Sequence, residues 1–501
     1  MIFQSRATPV GLCTALISSK WVRVGHSGVA QRHMSRRVSS PTAGPMGDHA
    51  GGASVSGPRG AHSPSGSVSL GVGVAGMGAL AFGYHLGVIN GPLEAIASDL
   101  GFGGNATLQG LVVSSLLAFA AVGSLGGSGL ADRLGRRRAF LLDAAPLIIG
   151  PLISSLATSP AFMIAGRAIT GAGIGLSSAL VPVYISEVAP PSQRGALGTL
   201  NQVLICAGIL AALVLNVLVP TRNWRALFWV GALPAVLLGA GMLFLAPETP
   251  SWLGLSGQHA LADETAHRLW GPGGEALLEA DMAGHAKSDG GPKDRAQWGE
   301  VVANRGALTG AALFFLQQFS GINAIVYFSS SVFERAGFHS GTLASAAVGT
   351  VNVLGSLLAA SVIERVGRRH LLSWSWVGMG ASMLLMAAGM RLPALAHLGP
   401  YVAVLGTLAY ILSFSLGVGP VPALLVPEIT PVNLRGKAMA MAMGTHWICN
   451  FAIGQAFLLA VNAFSVPVLY TFFGVVCLIG AQFARGIKSS TQLPEELPGT
   501  S

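Results

Sequence analysis

The segment GSGLADRLGRRR, at residues 127–138, recurs in shortened form as ERVGRR at residues 364–369. Both copies carry an acidic residue, a basic residue, one apolar residue, and then Gly followed by two Arg. Each copy comes directly after an apolar run that is long enough to cross a membrane. A duplicated loop at the same place in each half of a chain is typical of membrane proteins built from two related repeats.

The regions around these loops are dominated by apolar runs. Of the 501 residues, 51% are hydrophobic and only 10% are charged, and the mean hydropathy is +0.61. This composition excludes a soluble globular protein and predicts an all-α membrane protein. Twelve runs reach spanning length, and the predicted spans are residues 68–90, 108–131, 139–158, 161–182, 197–219, 226–246, 306–331, 341–363, 370–390, 398–426, 436–460 and 465–485.

The spans divide into two groups of six. The predicted organisation is an N-terminal half at 68–246, a central polar loop at 247–305, a C-terminal half at 306–485 and a short tail at 486–501. Basic clusters follow the even-numbered spans, which places the central loop and both termini on the inner, cytosolic-type side. The net charge of +9 therefore reflects membrane orientation and gives no indication of nucleic-acid binding.

Residues 1–65 differ in composition from the rest of the chain. The first forty contain six Lys or Arg, many Ser and no acidic residue, which is the composition of an organellar transit peptide. Residues 41–69 are rich in Gly, Ser and Pro and are predicted to form a disordered linker. A plain disordered cytosolic tail is the alternative interpretation.

The seventh span contains the segment QQFSGINAIVY at residues 317–327. Its Gln, Asn and Tyr side chains offer hydrogen-bond donors and acceptors without charge, which suits hydroxyl groups better than ions. A bend at Gly321 is predicted to bring Gln317 and Asn323 to one site near the middle of the membrane. The alternative is that these side chains only form hydrogen bonds between helices.

Several motifs together resemble the sugar porter family of the major facilitator superfamily, over residues 68–485. They include both loop motifs, PVYISE at residues 182–187, PETP at residues 247–250 and the segment at 317–327. Within that family, FGYHLGVING at residues 82–91 and HWICNF at residues 446–451 are most similar to the plastidic glucose translocators of plants and algae. The resemblance implies a major facilitator fold, with twelve helices in two six-helix halves around a sugar site.

The resemblance also implies which residues contact substrate. The positions that match sugar contacts of the family are Gln202, Gln317, Gln318, Asn323, Asn352, Trp447 and Asn450, with Tyr327, Phe328 and Phe414 as aromatic neighbours. His446 lies among these positions as a further donor. Several weak hydrogen bonds imply affinity in the millimolar range, which is suited to the release of substrate.

Charged residues at the inner helix ends are expected to act as a latch that closes the inner side. The expected ion pairs join Arg133, Arg137, Arg365 and Arg369 to Glu187, Glu248 and Glu428, and the motif also includes Asp132, Arg194 and Arg435. A purely topological role for the arginines is the alternative. Three further groups, His85, Arg167 and Asp143, are candidates for proton linkage.

The leading hypothesis is a facilitative hexose transporter, for D-glucose, in the plastid inner envelope. Proton-coupled relatives carry Asp at the position of His85, so the histidine favours facilitated diffusion. The alternatives are a proton-coupled sugar or polyol symporter at the plasma membrane or another membrane, and a sugar sensor that does not transport. No enzyme activity, catalytic residue, cofactor or metal site is expected. The expected partners are a sugar and the lipid bilayer, and the protein is expected to be a monomer.

Overall fold

The computed structural model describes residues 66–190, 193–288, 297–335, 337–391, 399–431 and 434–487. The predicted transit peptide and linker at 1–65, and the tail from residue 488, lie outside the described residues. The N-terminal half and the central loop contain α1 Gly66–Gly87, α2 Leu93–Asp99, α3 Ala106–Leu134, α4 Arg136–Ser155, α5 Pro160–Val188, α6 Arg194–Leu218, α7 Trp224–Phe244, α8 Pro250–Leu255, α9 His259–Trp270, α10 Gly274–Ser288 and α11 Trp298–Ala303. The C-terminal half contains α12 Arg305–Phe319, α13 Ile322–Arg335, α14 Gly341–Val366, α15 Arg368–Arg391, α16 Gly399–Leu416, α17 Val421–Ile429, α18 Arg435–Phe464 and α19 Val466–Gly486.

Twelve segments of the described chain are long and apolar enough to cross a membrane. Nine lie in single α-helices, the sixth joins a 3-10 turn at Thr221–Asn223 to α7, and two are pairs of shorter helices: α12 with α13, and α16 with α17. The central loop contributes four short helices, α8 to α11, which confirms the predicted all-α architecture with a polar loop between two groups of six spans.

The two halves use the same helix pairings. In the N-terminal half the first span packs against the fifth (α1 with α6), the second against the fourth (α3 with α5) and the third against the sixth (α4 with α7). In the C-terminal half the corresponding pairs are α12 with α18, α14 with α16, and α15 with α19. The two halves meet through α3 with α18 and through α6 with α14, so their interface also repeats. The internal duplication of the sequence is therefore a duplication of structure.

The glycine of each loop motif separates two spans. Gly135 has a φ of 91° between α3 and α4, and Gly367 has a φ of 86° between α14 and α15. Residues with side chains seldom adopt this left-handed conformation, whereas glycine adopts it freely. The repeated glycine thus reverses the chain at the inner side of both halves.

The outer ends of the two halves are in contact. Here "outer" means the side opposite the two arginine loops. The Ser114 hydroxyl in α3 donates to Gln455 Oε1 in α18 at 2.7 Å. A Cβ atom on Gly349 in α14 would lie 3.2 Å from the Cα atom of Leu210 in α6. The described structure is therefore closed on its outer side.

Candidate substrate site

The seventh span is broken at the position predicted from the sequence. Helix α12 ends at Phe319 and α13 begins at Ile322, and Gly321 between them has a φ of 96°. A Cβ atom on Gly321 would lie 2.6 Å from Cδ2 of Phe473, so neither the backbone conformation nor the space allows a larger residue. The predicted bend at Gly321 is confirmed.

This break brings an amide network together. The Gln318 side chain donates to Gln317 Oε1 at 3.1 Å, lies 2.7 Å from His446 Nδ1, and accepts a hydrogen bond from the Asn323 amide. Gln317 is itself anchored, because its Nε2 donates to the Val418 carbonyl oxygen at 2.6 Å. The network thus joins both parts of the seventh span to the eleventh span and to the break in the tenth.

Aromatic rings border this network on α18 and α13. The Tyr327 hydroxyl donates to Asn450 Oδ1 at 3.1 Å. The indole of Trp447 is fully buried, and its ring centroid lies 5.0 Å from that of His446 and 5.9 Å from that of Phe82. The indole Nε1–H has no partner within the described residues, so it is a free donor in a buried polar region. Phe328 stacks on Phe457 in the same region, at 5.1 Å between ring centroids.

A second polar group crosses between the halves. Gln202 Nε2 in α6 donates to Cys206 Sγ at 3.5 Å, and that sulfur lies 3.3 Å from Ser356 Oγ in α14. Asn352 lies one helical turn before Ser356, on the same face of α14, and accepts a hydrogen bond from the Ser415 hydroxyl at 2.8 Å. The half-buried Phe414 adjoins Ser415 at the end of α16. Gln202 and Asn352 therefore belong to a group around α14 whose contacts do not include the amide network, whereas the ring of Phe414 lies against Gly419, whose carbonyl oxygen accepts a hydrogen bond from Gln317.

His85 faces the interior of the N-terminal half. Its Nε2 lies 3.1 Å from the Gly231 carbonyl oxygen in α7, and its side chain is fully buried. The Arg167 guanidinium donates to the backbone carbonyl oxygens of His85 at 3.0 Å and Val112 at 3.2 Å. The arginine thus contacts the backbone of His85 and not its ring.

Asp143 lies inside the same half, on α4. It is fully buried and accepts a hydrogen bond of 2.5 Å from the Ser177 hydroxyl to its Oδ2 atom. Its Oδ1 atom has no partner within the described residues. The contacts of Asp143 connect α4 to α5 and involve none of the residues of the amide network.

In this outer-closed structure the inner ionic contacts use other arginines than those expected for a latch that closes the inner side. In place of Arg133 and Arg137, Arg136 pairs with Glu187 at 2.8 Å and with Asp132 at 3.1 Å. In place of Arg365 and Arg369, Arg368 pairs with Glu428. The reason is positional: Arg136 and Arg368 directly follow the reversing glycine and start their helices, whereas Arg133 and Arg365 are exposed.

The other expected latch residues bind within their own half or the central loop. Arg137 donates to the carbonyl oxygens of Met242 and Leu243, and Arg369 donates to that of Arg485. Arg194 forms a two-hydrogen-bond ion pair with Asp281 in α10, at 2.6 and 2.9 Å. Arg435 Nε donates to the Thr430 carbonyl oxygen at 3.2 Å.

Glu248 caps the start of α4 without an arginine side chain. Its carboxylate accepts hydrogen bonds from the backbone N–H groups of Arg136 and Arg137, at 2.9 and 3.1 Å, and of Thr249 at 3.0 Å. Burial raises the pKa of the Glu248 carboxyl above its ordinary value, and these hydrogen bonds oppose that effect. In this structure the Glu248 carboxylate therefore stabilises the start of α4 as a helix cap, and it forms no ion pair with an arginine side chain of the expected latch.

One contact between the halves was not anticipated from the sequence. Asn90, just after α1, is buried, and its Nδ2 donates to the Val326 carbonyl oxygen at 2.6 Å and to Ser329 Oγ at 2.9 Å. Its Oδ1 accepts from the Ser330 N–H at 3.1 Å. The sequence feature that could have indicated this contact is the single amide side chain at the end of the first span, directly before Gly91.

Two six-helix halves, a broken helix at mid-membrane and an uncharged polar site define a secondary transporter of the major facilitator type. The chain belongs to the Sugar (and other) transporter family, whose model matches residues 72–485. This family membership identifies a multi-pass membrane transporter and not an enzyme.

Individual relatives agree with this assignment. Plastidic glucose transporter 4 of Arabidopsis thaliana is 47% identical over 427 residues, which are 84% of this chain and 78% of that protein. Probable plastidic glucose transporter 1 of the same plant is 41% identical, over 83% of this chain and 80% of that protein. The structure of the xylose transporter XylE from E. coli, in a partially occluded inward open conformation, superimposes with a TM-score of 0.73 at 25% identity, covering 85% of this chain and 99% of that one.

Proposed function

We propose that this protein is a facilitative transporter of D-glucose that works by alternating access in the plastid envelope. The amide network of Gln317, Gln318 and Asn323 at the break in the seventh span carries the proposal. Amides bind hydroxyl groups through several weak, uncharged hydrogen bonds, which allows both recognition and release. The glucose assignment is supported by the names of the plastidic relatives, and the composition of residues 1–65 supports the plastid.

The proposed site residues act in distinct roles. Gln317, Gln318, Asn323, Asn450 and His446 would bind sugar hydroxyls. Trp447, Tyr327 and Phe414 would form apolar walls, with the free indole N–H of Trp447 as an additional donor. Gln202 on α6 and Asn352 on α14 would add further hydrogen bonds to the sugar, one from each half of the protein. We assign the ion pairs Arg136–Glu187 and Arg368–Glu428 to holding each half together on the inner side while the halves move against each other.

The surroundings of two groups support the proposal that transport is not coupled to protons. His85 binds a backbone carbonyl group of α7 and so forms part of the rigid N-terminal half. Asp143 is buried against Ser177 and makes no contact with the amide network. Neither group contacts the amide network, which supports transport without proton coupling.

The test is uptake of radiolabelled D-glucose into liposomes that contain the purified protein. The expected result is saturable uptake that reaches equilibrium, at the same level with equal pH and with an imposed proton gradient. L-Glucose should enter only at the rate of protein-free liposomes. Specific binding of D-glucose without uptake would instead make the protein a sugar sensor.

A second candidate function is proton-coupled symport. The observation that favours it is the free Oδ1 atom of the buried Asp143, since an ionisable group inside a membrane span is a candidate proton carrier. Accumulation of D-glucose above equilibrium under a proton gradient would establish this function in place of the first.

A further inference from the structure

A pocket of about 410 Å³ opens at the inner ends of α15 and α19, away from the substrate site. Its open surface is mainly apolar, formed by Trp374, Val377 and the carbon atoms of the polar lining residues Arg369, His370, Ser373 and Arg485. These helices are the third and sixth spans of the C-terminal half, and the pocket uses none of the amide or aromatic residues assigned to sugar.

The charge of this pocket favours an anion. Arg369 and Arg485 contribute two guanidinium groups, and no carboxylate lines the pocket in the part of the chain that the structure describes. The neighbouring carboxylate, Glu428, is already paired with Arg368. Arg369 donates one N–H to the Arg485 carbonyl oxygen, which fixes its guanidinium at the end of α19. Guanidinium groups fixed in this way match the geometry of a phosphate group.

The surroundings of the pocket favour a membrane lipid as the source of that anion. Trp374 is 75% exposed, as expected of a tryptophan at the boundary between membrane and water. On α15 the exposed face continues from Trp374 through Val377 to Leu385, towards the middle of the membrane. On α19 the exposed Leu478 lies on the same face as Arg485. Two arginines beside exposed apolar helix faces fit a charged headgroup with its acyl chains.

The equivalent corner of the N-terminal half lacks the second charge. There Arg137, the counterpart of Arg369, donates to the carbonyl oxygens of Met242 and Leu243 at the end of α7. That helix end is apolar, with Leu243, Phe244 and Leu245 in sequence, whereas α19 carries Arg485. In both halves, therefore, an arginine of the loop motif binds the end of the last span of that half. Only in the C-terminal half does a second arginine stand beside it, as an anion site requires.

We propose that the pocket between α15 and α19 binds the phosphate headgroup of one anionic phospholipid of the inner leaflet. Arg369 and Arg485 bind the phosphate, Ser373 and His370 donate to its oxygens or to the glycerol, and Trp374 and Val377 cover the first carbons of the acyl chains. The inference is independent of the transported sugar, because lipid binding is measured without any sugar present.

The test is native mass spectrometry of the full chain in detergent, titrated with phosphatidylglycerol or with phosphatidylcholine. The expected result is one tightly bound phosphatidylglycerol per chain, and weaker binding of the neutral-headed phosphatidylcholine. Arg485→Gln should weaken the first phosphatidylglycerol by about fivefold, the usual effect of one arginine near an anionic headgroup. Arg268→Gln is the matched control, since it removes the same charge from an exposed position on α9 and should leave this affinity unchanged.

Three outcomes would overturn the proposal. The first is equal affinity for the two lipids in the unmodified protein. The second is an equal loss of affinity in Arg268→Gln and Arg485→Gln, which would show general surface attraction without a site. The third is displacement of the bound lipid by inorganic phosphate at comparable concentration, which would assign the pocket to free phosphate. A second measurement separates lipid from free phosphate. The variant Ser373→Cys is placed in vesicles and treated with a soluble maleimide. Its cysteine should be protected from the reagent only when the vesicles contain phosphatidylglycerol.

Discussion

The Asn90 amide donates to the Val326 carbonyl oxygen at 2.6 Å, across the boundary between the two six-helix halves. Asn90 follows the first span, and Val326 lies in α13, the outer part of the broken seventh span. The same side chain accepts from the Ser330 N–H, so it pairs with two backbone groups of a helix that the break at Gly321 separates from α12. This contact lies at the outer closure and is suited to stabilising the state seen here.

Replacing Asn90 with Ala should therefore favour opening on the outer side. The substitution removes up to three hydrogen bonds of about 1 kcal/mol each between the two halves. A reporter cysteine at Val113, at the contact between α3 and Gly454, should react faster with a membrane-impermeant maleimide added outside, by about tenfold. The measurement uses a chain without its four native cysteines.

Asn462→Ala is the control for this experiment. Asn462 is exposed at the outer end of α18 and bonds to Arg335 within the C-terminal half. Its replacement should leave the reaction rate at Val113→Cys unchanged. If the two alanine variants react equally fast, Asn90 has no specific role in the closure.

Gln318→Ala should impair sugar binding more than the loss of a single hydrogen bond. Gln318 contacts Gln317, Asn323 and His446, so its removal takes one hydrogen-bond contact from each of these three side chains. Gln318 is also proposed to bind a sugar hydroxyl, and its loss leaves that hydroxyl unpaired in the bound state, which costs about 1–3 kcal/mol and predicts a rise in the KM for D-glucose of roughly 5- to 150-fold. The measurement is the concentration dependence of initial uptake in liposomes.

Thr309→Ala provides the comparison on the same helix. Thr309 is half-buried on α12 and bonds to the Arg305 carbonyl oxygen of its own helix, away from the amide network. Its KM should match that of the unmodified protein. An unchanged KM in Gln318→Ala would remove the amide network from the sugar site.

Gly321→Ala should damage transport without removing any polar group. The alanine methyl would meet Phe473 at 2.6 Å, and the φ of 96° is unfavourable for any residue with a Cβ atom. Backbone strain of this kind costs about 1–3 kcal/mol. We expect a lower thermal unfolding temperature in detergent and loss of most glucose uptake.

Gly299→Ala is the matched glycine control for that variant. Gly299 lies in α11 of the central loop, and an added Cβ atom there meets nothing within 4 Å. This variant should unfold and transport like the parent protein. Full activity in Gly321→Ala would show that the seventh span can adopt another geometry at its break.

The sequence predicted most of the fold, because composition and the repeated loop determine spans, orientation and duplication. It also predicted the break at Gly321, since polar groups on different faces of one span require a bend to meet. It did not predict which arginine reaches Glu187, because neighbouring arginines differ only in the direction that the helix gives them. The contact of Asn90 was missed for a different reason. Its backbone partners lie in a helix more than 230 residues away in sequence, and nothing in the local sequence around Asn90 indicates that helix.

Proton coupling can be tested directly at Asp143. Asp143→Asn keeps the shape of the side chain and the hydrogen bond with Ser177 but removes the titratable carboxyl group. If transport is facilitative, uptake should stay indifferent to a proton gradient in the parent protein, in Asp143→Asn and in His85→Gln. A gradient-driven accumulation that disappears only in Asp143→Asn would identify this carboxyl group as the coupling site.

The final prediction separates the two arginines that flank Gly135. Arg136 is buried between Glu187 and Asp132, whereas Arg133 is exposed. Removing one partner of a largely buried ion pair leaves a charge without compensation and costs about 3 kcal/mol or more, whereas a change at an exposed position costs less than about 0.5 kcal/mol. Arg136→Gln should therefore lower the thermal unfolding temperature clearly, and Arg133→Gln should leave it unchanged. Combining Arg136→Gln with Glu187→Gln should restore part of the loss, because the second substitution removes the unpaired carboxylate. Equal effects of the two arginine variants would mean that the loop motif stabilises the inner side through charge alone and not through the Arg136–Glu187 contact.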